Sequence, residues 1–101
     1  MIEKSKRMTV NVKFIGSLHS LSGKNSVELR LTRLCRIRDL IQMIAEELPR
    51  LGSALIDPKS ESPKTNLLII VNGQEMSVLD GFETSIKDGD EVVLVPVVHG
   101  G

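Results

Sequence analysis

The run Leu67-Leu68-Ile69-Ile70-Val71, followed at once by Asn72-Gly73, constrains this chain more than any other feature. Five consecutive apolar residues, three of them β-branched, suit a strand covered on both faces. Asn-Gly directly after such a run signals a hairpin, because both central positions of a type I′ turn need positive φ. Gln74-Glu75-Met76 is then a short returning strand. A second strongly apolar segment, Glu91-Val92-Val93-Leu94-Val95, stops at Pro96, which cannot donate to a ladder. Asp80-Gly81 and Asp88-Gly89-Asp90 read as tight turns ahead of it.

Upstream, Met8-Thr9-Val10-Asn11-Val12-Lys13-Phe14 alternates apolar and polar residues without a break, which predicts a strand ending at Gly16. Val27-Glu28-Leu29-Arg30-Leu31 alternates again, so the two strands form a hairpin whose longish loop holds Leu18, Leu21 and the turn Gly23-Lys24-Asn25. Ile37, Leu40, Ile41, Ile44, Ala45 and Leu48 then follow helical spacing, with Arg36, Arg38, Asp39, Gln42, Glu46 and Glu47 on the opposite face. Thr32 is the candidate cap, and Pro49 and Gly52 stop the helix. Residues 49–66 carry prolines, serines and mixed charge over a span too long for a simple connection. They read as a surface excursion with a short helical turn around Ala54-Leu55-Ile56.

A helix after the first hairpin requires a crossover to the third strand, so the sheet is mixed. The expected fold class is α+β: four to five strands packed on one main helix. One helix covers one sheet face. The other is covered by the excursion, lies within the domain, or remains a partner-facing apolar patch built from Leu68, Ile70, Val93 and Val95.

At 101 residues the chain is one domain, long enough to fold without disulfides or metal. Its only aromatics are Phe14 and Phe82, too few for a base-stacking platform. The formal net charge is zero, which removes the electrostatic case for direct nucleic-acid or membrane binding. A single cysteine, Cys35, excludes an intrachain disulfide and fits a reducing, cytoplasmic setting. No window reads as a membrane span or signal segment.

Catalytic constellations are missing. His19 and His99 stand apart from each other and from Cys35, so no metal-ligand spacing exists. Ser20, Ser22 and Ser26 lack a nucleophile-elbow context. Cys35, near the helix start, reads as an inert half-buried thiol. The chain is not expected to be an enzyme.

What remains is the C-terminal Gly100-Gly101. Two glycines close a chain by chance in about one sequence in 200. They also form the thinnest backbone available, able to thread a narrow channel and present a carboxylate in another protein's site. Pro96 ends the last strand, so Pro96, Val97, Val98, His99 and Gly100 are expected to leave the sheet as an accessible docking tail, with Gly101 as the expected covalent point.

These pieces together resemble the β-grasp sulfur carriers: the molybdopterin synthase small subunit, the thiazole-synthesis carrier and the ubiquitin-related modifier. The resemblance rests on Val10-Asn11-Val12-Lys13-Phe14, Ile37-Arg38-Asp39-Leu40-Ile41, Leu68-Ile69-Ile70-Val71-Asn72-Gly73, Ile86-Lys87-Asp88-Gly89-Asp90-Glu91-Val92, Pro96 and Gly100-Gly101. It implies a ubiquitin-like fold over residues 8–98, between a flexible tail at 1–7 and a flexible diglycine tail at 99–101. It further implies an E1-like enzyme that uses ATP to adenylate Gly101, and a sulfur donor of rhodanese or cysteine desulfurase type that converts the adenylate to a thiocarboxylate. The carrier itself binds no cofactor. Implied acceptors are a tRNA thiolation enzyme, the molybdopterin synthase large subunit or, in modifier-type members, lysines of target proteins. The His99-Gly100-Gly101 ending looks like that of the ubiquitin-related modifier; the excursion makes this chain longer than minimal carriers. A molybdopterin synthase accessory subunit and a non-catalytic interaction module are the alternatives.

Overall fold

The computed structural model describes residues 8–31 and 34–97. Among these residues seven strands and three helices follow in the order β1 (Met8–Phe14), α1 (Ser17–Ser22), β2 (Ser26–Leu31), β3 (Cys35–Arg36), α2 (Ile37–Glu47), α3 (Gly52–Leu55), β4 (Leu67–Val71), β5 (Gln74–Glu75), β6 (Ser85–Ile86) and β7 (Glu91–Pro96). Five strands form a mixed sheet in the order β2-β1-β7-β4-β5. The last strand therefore lies between the first and the fourth, parallel to β1 and antiparallel to β4.

Alternation fixes the faces. Val10, Val12, Phe14, Leu67, Ile69, Val71, Val92 and Leu94 are buried on one side of the sheet, beneath Ile37, Leu40, Ile41 and Ile44 of α2. The α2 start is held by the Arg36 N–H, which donates to Asp39 Oδ2 at 3.0 Å, and by the Ile37 N–H, which donates to the Thr84 carbonyl at 3.0 Å. Arg36 thus occupies the cap position; Thr32 lies outside the described residues.

Two of the turn signals show most plainly how the residues set the fold. Asn72 and Gly73 have φ of 51° and 84°, the positive pair a type I′ turn needs, and Gly89 has φ of 85°. The returning strand covers only Gln74–Glu75, because Met76–Val78 coil into a 3₁₀ turn.

Two readings are corrected. The loop after β1 contains a helix, α1, whose left-handed Gly23 closes it with an N–H to the His19 carbonyl at 2.9 Å. Leu18 on that helix is fully buried, which is what draws the segment onto the core. The 49–66 stretch is likewise more than a surface excursion: a 3₁₀ turn at Pro49–Leu51 leads into α3, and Leu51 and Leu55 are fully buried in the same core. The helical turn begins at Gly52, two residues before the expected Ala54. Because α3 packs on α2, this stretch thickens the helical layer.

Candidate functional site

The carboxyl end of β7 is where the chain leaves the sheet, and neighbours on both sides fix its position. On the β1 side, the Ile15 N–H donates to the Leu94 carbonyl at 3.1 Å. Gly16, with φ of 62°, turns the chain away there, and a Cβ at that position would stand 3.7 Å from Pro96 Cγ. On the β4 side, Leu67 pairs with Pro96, and the Val97 N–H donates to the Asn66 carbonyl at 2.9 Å. Pro96 is half-buried and Val97 is 40% exposed. Val98, His99, Gly100 and Gly101 lie outside the described residues. Ile15, Gly16 and Asn66 carry no motif of their own; only the glycine after an alternating strand marked that corner in the sequence.

The four patch residues come together. Leu68 pairs with Val95 and Ile70 with Val93 across the β4–β7 ladder, so all four side chains stand on the sheet face opposite α2. Each is half-buried. The neighbouring β1 presents Thr9, Asn11 and Lys13 on this face, and Lys13 Nζ meets Glu91 Oε2 at 3.1 Å. The face is therefore divided into an apolar half over β4 and β7, bordered by the Lys13–Glu91 pair, and a polar half over β1 and β2. The apolar half runs toward Val97 and the exit of the chain.

Away from the sheet face, Glu83 gathers a second group of charges. Glu83 accepts from Arg38 Nε at 3.0 Å and Arg36 Nη1 at 3.1 Å, and Arg38 lies 5.9 Å over the Phe82 ring. The hydrogen bond from Arg38 leads in holding the Glu83 carboxyl below its ordinary range, with help from Arg36. Cys35 is buried, and burial with the nearby Asp39 carboxylate pushes its thiol up to about 11. A thiol so placed is protonated at neutral pH and a poor nucleophile. Among the described residues no three metal-ligating side chains converge, and no helix is long and apolar enough to cross a membrane.

The sequence model of the ThiS family matches residues 12–101. The chain belongs to the ThiS family. Small archaeal modifier protein 3 of Haloferax volcanii is 30% identical over 94 residues, which span 93% of this chain and all of that protein. Ubiquitin-related modifier 1 of Schizosaccharomyces pombe is 27% identical over 97 residues, spanning 93% and 100%. The solution structure of small archaeal modifier protein 1 from Methanosarcina acetivorans superposes with a TM-score of 0.79 at 28% identity, covering 95% of this chain and 99% of that one. The expected ubiquitin-like β-grasp fold and the resemblance to sulfur carriers and modifiers are thus borne out. This ThiS-family chain is a small ubiquitin-like carrier or modifier protein.

Proposed function

We propose that the reacting group is the carboxylate of Gly101, delivered to partner enzymes by the tail 96–101. An E1-like enzyme joins it to the α-phosphate of ATP and releases pyrophosphate. The persulfide of a sulfur donor of rhodanese or cysteine desulfurase type then attacks the acyl-adenylate and displaces AMP to give an acyl disulfide. A second thiol attacks the donor cysteine's sulfur, forming a disulfide with it and releasing the thiocarboxylate. The sulfur passes to a tRNA thiolation enzyme, or the activated glycine is joined to a lysine of a target protein. The chain needs no cofactor of its own, since ATP is bound by the activating enzyme.

One observation carries this reading: the exit of β7 is fixed by Asn66, Gly16 and β1, while the family match continues through the tail to Gly101. A rigid exit followed by Gly100-Gly101 suits a carboxylate that must enter another protein's channel. The apolar patch of Leu68, Ile70, Val93 and Val95 lies beside that exit, and in this reading it docks the activating enzyme while the tail is threaded. Both full-length relatives are named as modifiers, which favours this reading over a molybdopterin synthase accessory subunit.

The test is intact mass after incubation with the E1-like enzyme, ATP and a sulfur source. A gain equal to sulfur replacing oxygen is expected, and it disappears when Gly101 is deleted. A truncated chain that is still adenylated would refute the assignment.

A further inference from the structure

Among the described residues the sheet has one long open edge, and its backbone phase and charges specify what can pair with it. Strand β2 runs six residues, contains no proline, and among the described residues pairs only with β1. The opposite edge, β5, is only two residues long. An uncovered edge of this length is a template for another strand.

The Phe14 N–H donates to the Asn25 carbonyl at 2.8 Å, whereas the Asn11 N–H points the other way, to Asp90 on the β7 side. Even-numbered residues of β1 therefore bond to odd-numbered residues of β2, given the Val12↔Val27 and Val10↔Leu29 register. The outward-facing backbone groups of β2 are those of Ser26, Glu28 and Arg30. All three residues are exposed, and neither Glu28 nor Arg30 takes part in an ion pair among the described residues.

For two copies of β2 pairing antiparallel about a twofold axis, this phase permits a register centred on any residue of the strand. The three that set Glu28 or Arg30 against a charged residue of this pair are centred on residue 28, 29 or 30. Centring on 28 sets Glu28 against Glu28. Centring on 30 sets Arg30 against Arg30. Centring on Leu29 sets Glu28 against Arg30 twice, each pair joined by two backbone hydrogen bonds, with Leu29 against Leu29 between them. Opposite charges directly across a ladder stabilise it, and like charges oppose it.

We propose that the β2 edge is a homodimerisation surface, in which two copies pair through Glu28 and Arg30 about Leu29 to make one continuous sheet. The inner-facing side chains fit the same partner. Val27 and Leu29 are half-buried, and with Ile44 of α2 and Leu48 just past its end they form the apolar wall of an open groove of about 210 Å³ that Lys24, Glu28 and Glu47 rim. In this register Leu29 of each copy stands at the groove of the other and covers its apolar wall. Strand β1 separates β2 from β7, so the dimer leaves the exit of the chain and the apolar patch free.

Sedimentation equilibrium of the full chain, taken up to millimolar concentration at low salt, tests this. A monomer–dimer equilibrium weakened by added salt is expected. Glu28→Arg and Arg30→Glu, each made alone, place like charges at the axis in all three registers, and each should weaken dimerisation by roughly tenfold. The double exchange Glu28→Arg/Arg30→Glu restores opposite pairs and should restore the dimer. Both positions are exposed, so circular dichroism of every variant should match the parent. Hydrogen exchange adds an independent readout: the Glu28 and Arg30 amides gain protection as concentration rises, while those of Val27 and Leu29 are protected throughout. A chain that stays monomeric with freely exchanging Glu28 and Arg30 amides, or a dimer indifferent to the charge exchanges, overturns the proposal. Protection of these amides only when an extended peptide from another protein is added also overturns it and assigns the edge to that peptide.

Discussion

Asn72 and Asp90 are eighteen residues apart, yet Asn72 Nδ2 donates to Asp90 Oδ1 at 2.8 Å and ties the hairpin turn to the turn that launches β7. The Glu91 N–H donates to Asn72 Oδ1 at 2.9 Å, and the Asn72 N–H donates to the Glu91 carbonyl at 2.8 Å. Asp90 also accepts from the Lys87 N–H at 2.7 Å, closing its own turn around Gly89. The residue chosen for positive φ is thus also the one that registers β7 against β4.

Replacing Asn72 with Ala removes both side-chain bonds and leaves a Cβ residue at a φ of 51° that asparagine tolerates better. Two exposed hydrogen bonds and the φ penalty together should cost about 2–3 kcal/mol. Urea unfolding followed by circular dichroism measures it; a loss within experimental error would mean the side chain does not hold the register.

The corrected role of the 49–66 stretch gives a second expectation. Leu55 is fully buried, so Leu55→Ala should destabilise by about 2–4 kcal/mol, as for a core leucine. A surface excursion would lose less than about 0.5 kcal/mol at such a position. Thermal unfolding separates the two outcomes.

The sequence was most legible where one pattern ran for several residues or where a turn required particular residue types. The alternation of β1, the helical spacing of α2 and the Asn72-Gly73 pair each predicted the element that formed. Helix α1 was not legible, because six residues holding only Leu18 and Leu21 as apolar positions establish no helical period. Strands β3 and β6 are two residues each and exist only because the α2 start and the approach to β7 meet, pairing Cys35 with Ile86. The exposed sheet face needed the register: the apolar runs at 67–71 and 92–95 do not say which side α2 covers, whereas the pairing of Ile70 with Val93 does. The tail 98–101 lies outside the described residues, so its part in the site rests on sequence and family.

Polar substitution of the patch should separate docking from folding. Ile70 and Val93 are opposite each other on the face away from the core and only half-buried. The pair Ile70→Ser/Val93→Ser should keep the native circular dichroism spectrum while kcat/KM for adenylation falls by at least about tenfold, the loss expected of a central interface contact. Unchanged kcat/KM with a folded protein would remove the patch from the docking surface and leave the tail alone to carry recognition.

Cys35 makes a pH-dependent prediction whose direction follows from its surroundings. Burial and then the Asp39 carboxylate raise the folded thiol to about 11, above the ordinary value of 9.0. The neutral thiol is the form the fold prefers, so its contribution to stability is fully present below pH 9 and is lost as pH rises through about 11. Comparison with Cys35→Ala isolates the share of the thiol. The stability advantage of the parent chain over that variant should shrink across the interval. At pH 8 the folded chain should also react with iodoacetamide about a hundredfold more slowly than the urea-unfolded chain, because only the thiolate attacks. Equal alkylation rates would place Cys35 in contact with solvent and return it to the list of reactive groups.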